Sequence, residues 1–432
     1  MSVVATNSYL TGLLAGRRAA PASPLAWFND LRAHAVDRVG AATVPTTRDE
    51  EWRFTDISPL TKISFQPARG AATLAAAEIE RFALPEAVAR LTFVDGVYAP
   101  QHSFNKSGIE VSTIAAGVTR HAALMQAQLG RHAAFEVNAF AALNTAFLND
   151  GALIVVPRDV AVAGPVHLLF VATQPEAASY PRCLVVAESG SAVTVLEDFV
   201  TLQEASYFTN AVTEIAIADN ATVSHVRVQR EGMQAFHIAN CAVALARASR
   251  YQSVSVAFGA RISRYNLSIE QAGEGAECAV DGLALIGQTQ LADTHTLIDH
   301  ARPHGVSRQQ HKCIVDGAAH AVFNGKIMVR QDAQLTNSSQ SSRNLLLSAK
   351  ARVDTKPQLE IFADDVKCAH GATVGQLDAD EVFYLKSRGL SDATARNLLT
   401  YAFGAEIIDR IPIATLKHTL EQTVLVQTSR LP

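Results

Sequence analysis

The stretch DDVKCAHGATVG, residues 364–375, holds the residues of this chain whose types and spacing are best suited to chemistry. Cys368 and His370 stand two positions apart, and thiolate and imidazole are soft or borderline metal ligands. A cysteine can also be a nucleophile or a redox centre when its pKa is low. A C-x-H pair supplies only two ligands, so a metal site would need further ligands from elsewhere in the chain or from a partner.

The spacing also allows a structural interpretation of the same residues. Val366, Cys368 and His370 have the same parity, so a strand would place all three on one side. If Val366 points inward, Cys368 is a core cysteine, which is a common use of free cysteine. The Gly-Ala pair that follows predicts a turn, and His370 would then emerge at the corner. The residues alone leave the functional and the structural interpretation open.

A second concentration of ligand-type residues lies between positions 293 and 313. It contains His295, His300, His304, His311 and Cys313. Their spacings match no common zinc arrangement, so the segment is predicted to be a polar loop between structural elements. The alternative stays open that His311 and Cys313 share one face of a strand and form a labile site.

Several common catalytic and cluster-binding motifs are absent from the sequence. The N-G-K-I segment at 324–327 lacks the earlier glycine of a phosphate-binding loop, and no zinc-protease or serine-hydrolase motif occurs. No C-x-x-C is present, which argues against a ferredoxin-type cluster or a thioredoxin-like pair. The sequence therefore predicts neither nucleotide hydrolysis nor a self-contained cluster.

The composition indicates the cellular compartment of the protein and excludes some classes of partner. Of 432 residues, 48% are hydrophobic and 18% are charged, and the formal net charge is −4. This balance lacks the basic surface that nucleic-acid binding requires. The five cysteines are scattered and odd in number, the N-terminus lacks a basic signal-peptide region, and no run approaches ~18 apolar residues. We expect a cytoplasmic protein with no nucleic-acid partner and no membrane span.

The elements that must position these residues change in character twice along the chain. Residues 1–148 form a helical or α+β region, with helices predicted at 24–38 and 119–148. Residues 149–385 are a series of short β-type runs. Residues 386–432 close the chain with two helices, the first capped by Ser391 and the second opened by Pro412.

One turn type, a small or polar doublet followed by alanine, recurs through the β-rich part. It ends at Ala192, Ala221, Ala276, Ala318, Ala333, Ala351 and Ala372. Short strands with small-residue corners predict a solenoid whose coils stack on one another. We expect a mainly β protein with a parallel β-helix core. A β-sandwich is the alternative, disfavoured because hairpin dipeptides are nearly absent apart from Asn324-Gly325.

The context of the opening stretch resembles a known family. SRNLLLSAKARVDTKPQLEIFADDVKCAHGATVGQLD at 342–378, followed by EVFYLKSRGL, resembles the C-terminal signature of the SufB/SufD family of iron–sulfur cluster assembly scaffolds. The CAHGA form is similar to the SufD branch, since SufB-type sequences carry CEHEA there. EEWRFTD at 50–56 and FAALNTAFLNDG at 140–151 also fit. The resemblance thus covers nearly the whole chain.

The resemblance implies an architecture and two partners. It implies a right-handed parallel β-helix between an N-terminal helical region and C-terminal helices. The β-helix would pair with a SufB-type paralogue, and the C-terminal helices would dock a SufC-type ABC ATPase. The motif histidine falls on His370, which would lie at the interface near a cysteine of the SufB-type partner, where the nascent cluster forms. Cys368 matches the accompanying cysteine, for which a packing role stays open.

The function expected from this resemblance is a non-catalytic scaffold subunit, with ATP turnover in the partner. It would hold no permanent cofactor, and His370 would be a transient ligand of iron or a nascent cluster shared with the partner. The assembled complex could also carry flavin. The alternatives are a stand-alone homodimeric β-helical binding protein and a β-helical carbohydrate-active enzyme using Asp364-Asp365. Adjacent strand residues face opposite sides, which argues against the enzyme. Trp52 is expected to be a packing anchor.

Overall fold

A computed structural model describes residues 3–17, 23–70 and 72–429. Its strands are β1 Gln66–Pro67, β2 Ala89–Val94, β3 Val97–Tyr98, β4 Phe104–Asn105, β5 Glu110–Thr113, β6 Ala152–Val156, β7 Val166–Ala172, β8 Ala177–Ser179, β9 Arg182–Ala187, β10 Ala192–Thr201, β11 Phe208–Ile217, β12 Thr222–Arg230, β13 Phe236–Leu245, β14 Arg250–Ala257, β15 Ile262–Gln271, β16 Glu277–Ile286, β17 Leu291–His300, β18 Val306–Val315, β19 His320–Val329, β20 Asn337–Leu346, β21 Arg352–Ile361 and β22 Lys367–Gly375.

Successive long strands alternate between two sheets. Sheet 1 has the order β21-β19-β17-β15-β13-β11-β9-β6-β5, and sheet 2 has the order β22-β20-β18-β16-β14-β12-β10-β7-β2-β3. Every pairing between the long strands is parallel, and one coil takes roughly 30 residues. The predicted parallel β-helix is confirmed, with about eight turns, and the β-sandwich alternative is wrong.

Inward-facing side chains of both sheets form the solenoid core. Apolar residues at alternate positions stack on their equivalents in the next coil, as Phe93, Phe170 and Phe199 do in register. Their ring centroids are 5.4 and 4.8 Å apart, the spacing of adjacent strands. Each coil therefore buries its apolar face only against its neighbours, which is why the repeats must stack.

The predicted corners mostly fall between strands. Gly190 and Asn220 adopt φ angles of 73° and 60° in the doublets before Ala192 and Ala221, the left-handed conformation that glycine and asparagine tolerate best. The doublet ending at Ala372 is different, because it lies inside β22. A corner at that position was predicted and is wrong.

Helices cover the outer faces of the two sheets. They are α1 Val3–Ala15, α2 Ala26–Ala41, α3 Ser58–Thr61, α4 Ala76–Glu80, α5 Ile114–Gly117, α6 Ala122–Gln128, α7 Ala139–Ala146, α8 Ala379–Ser387, α9 Asp392–Ile408 and α10 Ala414–Ser429, with 3₁₀ turns at Glu50–Trp52 and Pro100–His102. The helix predicted at 24–38 is α2. The helix predicted over 119–148 is broken near Gly130 and Ala134, whose φ angles are positive.

The long helices of the two regions pack on different sheets, although the short helix α4 of the N-terminal region packs on sheet 2 through Ile79. In the N-terminal region, Val39 and Phe140 pack with Phe208 on the outer face of sheet 1. At the other end of the chain, Ile407 and Leu420 pack with the outer face of sheet 2. The predicted closing helices are confirmed as α9 and α10, and the Oγ of Ser391 caps α9 by accepting from the Thr394 N–H at 3.1 Å.

The predicted divisions 1–148, 149–385 and 386–432 lie where the residue pattern changes between helical and β-type. In the structure, β2 already joins sheet 2 through β7, and α8 begins at Ala379. Within the described ranges, no helix is long and apolar enough to cross a membrane.

Candidate functional site at the open end of the solenoid

The last coil of the solenoid, β21 and β22, is open on one side. Within the described residues, β21 pairs only with β19 and β22 only with β20. Eight of the nine residues of β22 are exposed, whereas only one of the ten residues of β20 beneath it is exposed. The segment with Cys368 and His370 therefore forms the end of the stack.

Cys368 faces the interior of this coil. It packs beside Val366 against the buried residues Ile327, Val329 and Ala363, so the predicted shared inward face of Val366 and Cys368 is confirmed. Burial raises the pKa of the Cys368 thiol, and the N–H of Ser338 offsets this only in part. The thiol of the isolated chain is therefore not activated as a nucleophile.

His370 lies in the middle of β22 and not at a corner. Gly371 and Ala372 continue the strand, because glycine is also compatible with extended backbone. The exposure of His370 comes from its place on the terminal strand. No side-chain hydrogen bond to its ring is present in the part of the chain that the structure describes.

Below the open end, the solenoid interior becomes polar. Ser338 is the register neighbour of Cys368, and Gln340 is that of His370. Ser338 shares a 2.6 Å hydrogen bond with Ser307, whose Oγ lies 2.9 Å from Nε2 of His300. His300 was named in the histidine-rich segment, but Ser307, Ser338 and Gln340 were not predicted as part of a site, although serine and glutamine at alternate positions of a buried strand were a visible signal.

The histidine-rich segment is formed by two strands. His295 and His300 lie on β17, His311 and Cys313 lie on β18, and only His304 is in the connecting corner. The predicted polar loop is wrong, because the strand register makes these polar residues part of the coil wall. No group of three or more histidine, cysteine, aspartate or glutamate side chains suited to a metal occurs in the described ranges.

His311 and Cys313 do share the inward face of β18, but as uncharged core residues. Burial lowers the pKa of His311 to about 3 and raises that of Cys313 to about 12. The imidazole of His311 stacks on the Phe323 ring with centroids 4.5 Å apart. In the folded chain these two side chains are packing residues of the core.

His295 faces outward and joins the solenoid to the N-terminal region. Its Nε2 lies 3.1 Å from Oδ1 of Asp293, and its Nδ1 lies 3.2 Å from Oε2 of Glu51. Burial lowers the pKa of His295, but the carboxylates of Asp293 and Glu51 more than offset this and raise it overall. Trp52, beside Glu51, is buried against Phe140, which confirms the predicted packing anchor.

Asp364 and Asp365 occupy the corner between β21 and β22. The premise that adjacent strand residues face opposite sides does not apply to them. The N–H of Asp365 donates to Oε1 of Gln334 at 2.9 Å, and its carbonyl accepts from the Leu335 N–H at 2.7 Å. These two hydrogen bonds of the Asp365 backbone hold the corner against residues 334 and 335 of the preceding coil.

A second exposed surface lies beside the open end. On α8, Phe383 and Tyr384 are 72% and 56% exposed. A cavity of about 430 Å³ separates α8 from the solenoid, with Leu347, Val382 and Arg396 in its walls. Large aromatic side chains beside a cavity are typical of surfaces that bind another protein.

Comparison with protein families defines the class of this solenoid. Residues 170–403 match the model described as "SUF system FeS cluster assembly, SufBD core domain", and residues 5–168 match the "SufBD protein N-terminal region". The chain belongs to the SufBD family of iron–sulfur cluster assembly proteins.

Curated relatives agree over most of their length. The chain is 43% identical over 411 residues to an iron–sulfur cluster assembly SufBD family protein of Synechocystis sp., covering 92% of this chain and 90% of that one. It is 34% identical to the iron–sulfur cluster assembly protein SufD of Escherichia coli, covering 90% of each. SufD of Bacillus subtilis is 25% identical, covering 92% of this chain and 93% of that one. The resemblance found in the sequence is thereby confirmed.

Proposed function

We propose that this chain is a non-catalytic scaffold subunit of a SUF complex, pairing with a SufB-type paralogue and a SufC-type ATPase in the cytoplasm. The observation that carries this proposal is the open terminal coil, which presents His370 and Cys368 beside unpaired strand edges. Iron or a nascent cluster would be its cargo. No resident cofactor is proposed for the chain itself, and flavin would belong to the assembled complex.

The backbone of β22 supports pairing with a partner strand. In a parallel strand, the N–H and C=O of successive residues point alternately to the two neighbours. The N–H of Lys367 donates to the carbonyl of Thr336 on the inner side, so the backbone groups of residues 368, 370, 372 and 374 face the open edge. Unpaired edges of this length are templates for another strand.

The two open edges differ in their capacity to pair. On β21, the N–H of Arg352 donates inward to the Ala319 carbonyl, so Pro357 stands at an outward position, where its missing N–H costs no internal hydrogen bond. The strand β22 contains no proline. Exposed Ile361, Phe362 and Val374 lie around the same end. A SufB-type solenoid end would cover these groups and continue the sheets.

The chemistry of the site fits half of an iron site. Iron accepts imidazole and thiolate ligands, and His370 is exposed at the edge where a partner would meet it. The inward, protonated Cys368 is a weaker candidate. Because this coil supplies so few ligands, the SufB-type partner would supply the remaining ones.

The ATPase would dock at the surface of α8, where Phe383 and Tyr384 are exposed. The helix that follows, α9, packs on β16 and β18 of sheet 2. A movement of the docked ATPase could therefore be transmitted to the solenoid and its open end. The same edges also fit a second copy of this chain, so a homodimer is the alternative assembly.

The experiment is anaerobic co-purification of the full chain with SufB-type and SufC-type partners, followed by iron and sulfide analysis. With His370→Ala, we expect the complex to survive and cluster assembly to collapse. His304→Ala is the matched control, because it removes an exposed histidine from a corner of the same solenoid.

The possible outcomes separate the alternatives. Normal assembly with His370→Ala would contradict the proposed role of His370. A chain that purifies as a homodimer and binds neither partner would favour the stand-alone binding protein. Loss of the complex in both histidine variants would show a defect of folding.

A further inference from the structure

A chain of buried side-chain amides runs through the solenoid interior toward His370. Nε2 of Gln309 donates to Oγ1 of Thr296 at 2.7 Å, and Nε2 of Gln340 donates to Oε1 of Gln309 at 2.7 Å. All three residues are buried. Gln309 and Gln340 are register neighbours on β18 and β20, and Gln340 and His370 are register neighbours on β20 and β22.

The amide chain has a direction. Each glutamine donates toward the interior and presents its oxygen toward the open end, so the dipoles of the two amides reinforce each other. Oε1 of Gln340 ends the chain, and it is buried without a hydrogen-bond partner among the described residues. A buried acceptor of this kind is costly to leave unpaired, above all once a partner covers the end.

The interior has been shaped to hold these polar groups. A Cβ at Gly325 would lie 2.4 Å from Nε2 of Gln340, and a Cβ at Gly282 would lie 2.3 Å from Nδ1 of His311. At either position a Cβ would force the neighbouring polar side chain to move. Gly325, which resembled half of a hairpin dipeptide, is thus a mid-strand glycine that leaves room for the Gln340 amide.

We propose that Gln340 is the positioning residue for His370: its Oε1 accepts a hydrogen bond from the ring N–H of His370 and so selects one tautomer. The strand register of Gln340 and His370 repeats that of Gln309 and Gln340. The hydrogen bond that the structure of the single chain lacks between Gln340 and His370 would form when the partner covers this end. This inference rests on the proposed function, because it assigns the purpose of the contact to the cargo site.

The consequence is chemical as well as geometric. A neutral imidazole has one N–H and one lone pair, and the hydrogen bond made by the first decides which nitrogen offers the second. With its N–H held by Gln340, His370 would direct its free nitrogen at iron near the interface. Contacts of this kind fix the orientation of metal-binding histidines and increase their basicity.

The test is ¹⁵N NMR of the full chain, labelled at histidine, in complex with the SufB-type partner. The pH is held well above the ordinary histidine pKa of about 6.5, and the His370 signals are assigned by their loss in His370→Gln. We expect one ring nitrogen of His370 to be protonated and the other not, as a single tautomer. Gln340→Met should give a mixture, and Gln340→Glu, which keeps an acceptor oxygen, should restore the single tautomer.

A second readout is the affinity of the complex for ferrous iron alone. Loss of such a contact lowers metal affinity by about 10–100-fold, and we expect this for Gln340→Met. Ser342→Ala is the matched control, because Ser342 lies on the same strand opposite Ala372 and not His370. Gly325→Ala displaces the amide without removing it and should also disturb the tautomer. It provides the test if Gln340→Met does not fold.

The outcomes distinguish this inference from the function on which it rests. A tautomer and an iron affinity unchanged in Gln340→Met, or changed equally in Ser342→Ala, would overturn the role of Gln340. If the tautomer depends on Gln340 while His370→Ala assembles clusters normally, the contact stands and the proposed role of His370 in the cargo site fails.

Discussion

The guanidinium of Arg264 lies over the indole of Trp52, with its central carbon 3.8 Å from the ring centroid. Nη1 of the same guanidinium donates to Oδ2 of Asp293 at 2.6 Å. Trp52 belongs to the 3₁₀ turn of the N-terminal region, whereas Arg264 and Asp293 belong to neighbouring strands of sheet 1. This contact therefore fastens the N-terminal region to the third and fourth strands from the end of sheet 1.

Replacement of Trp52 tests the strength of that fastening. We expect Trp52→Ala to lower the free energy of unfolding by about 3–5 kcal/mol, because a large buried ring is lost and a cavity is left. Trp52→Phe keeps an aromatic face for Arg264 and should cost clearly less. Urea unfolding measures both variants. Equal losses would show that the guanidinium contact contributes nothing.

The pH should control a second contact of the same segment, between His295 and Glu51. Despite burial, Asp293 and Glu51 raise the pKa of His295. The stabilisation that the charged His295 provides is therefore complete below a pH of about 6.5, and it is lost as the pH rises through the raised pKa. The hydrogen bond from His295 lowers the pKa of Glu51 below 4.5, so that contribution is lost on acidification. Because Glu51 is largely exposed, the effect should be modest.

Hydrogen exchange of the backbone amides around Glu51 measures this dependence. We expect exchange, corrected for its intrinsic dependence on pH, to speed up above neutrality in the wild type. His295→Gln should remove the pH dependence, because the charge that titrates is gone. If the corrected exchange rate still rises above neutrality in His295→Gln, another titrating group causes the effect.

The coils and their corners could be predicted because they depend on local residue patterns. Alternating apolar residues and positive-φ corners such as Asn220 are readable over a few positions. The position of His370 was not readable, because H-G-A is of the same type as true corner doublets. Whether the chain turns at Gly371 or continues as a strand depends on its pairing with the coil beneath.

The contacts of the candidate site could not be predicted for a different reason. Gln340 meets Gln309 through strand register, and Glu51 meets His295 from 244 positions away along the chain. Sequence shows that polar residues alternate on β20, but not which neighbour each one faces. The open end itself has no local signature, since it arises where the two sheets stop.

The aromatic surface of α8 gives a prediction about the ATPase partner. We expect the double change Phe383→Ser and Tyr384→Ser to weaken binding of the SufC-type protein by at least about tenfold, which corresponds to 1.4 kcal/mol. Both side chains are exposed, so the free energy of unfolding should change by less than about 0.5 kcal/mol. Val426→Ser on α10 is the control, because it removes an exposed apolar side chain elsewhere. Calorimetry with the purified ATPase measures the difference, and equal binding by all variants would place the docking surface elsewhere.

Proline scanning of β22 tests which backbone groups face the open edge. Because the Lys367 N–H donates inward, the N–H of Thr373 should also point to β20 and that of Ala372 to the edge. Thr373→Pro should therefore break the internal ladder and lower the free energy of unfolding by about 1–3 kcal/mol, because a hydrogen bond is lost and its acceptor is left unpaired. Ala372→Pro should be tolerated, as Pro357 is on β21, yet it removes a donor that a partner strand would use.

The two variants should have opposite effects on the stability of the isolated chain and on its binding to the SufB-type partner. Thr373→Pro should lower the unfolding free energy of the isolated chain, whereas Ala372→Pro should leave it nearly unchanged and weaken capture of the SufB-type partner. Equal destabilisation by both would mean that the register of the edge has been assigned wrongly. Full partner binding by a stable Ala372→Pro chain would mean that the solenoids meet through side chains, without a continuous sheet across the interface.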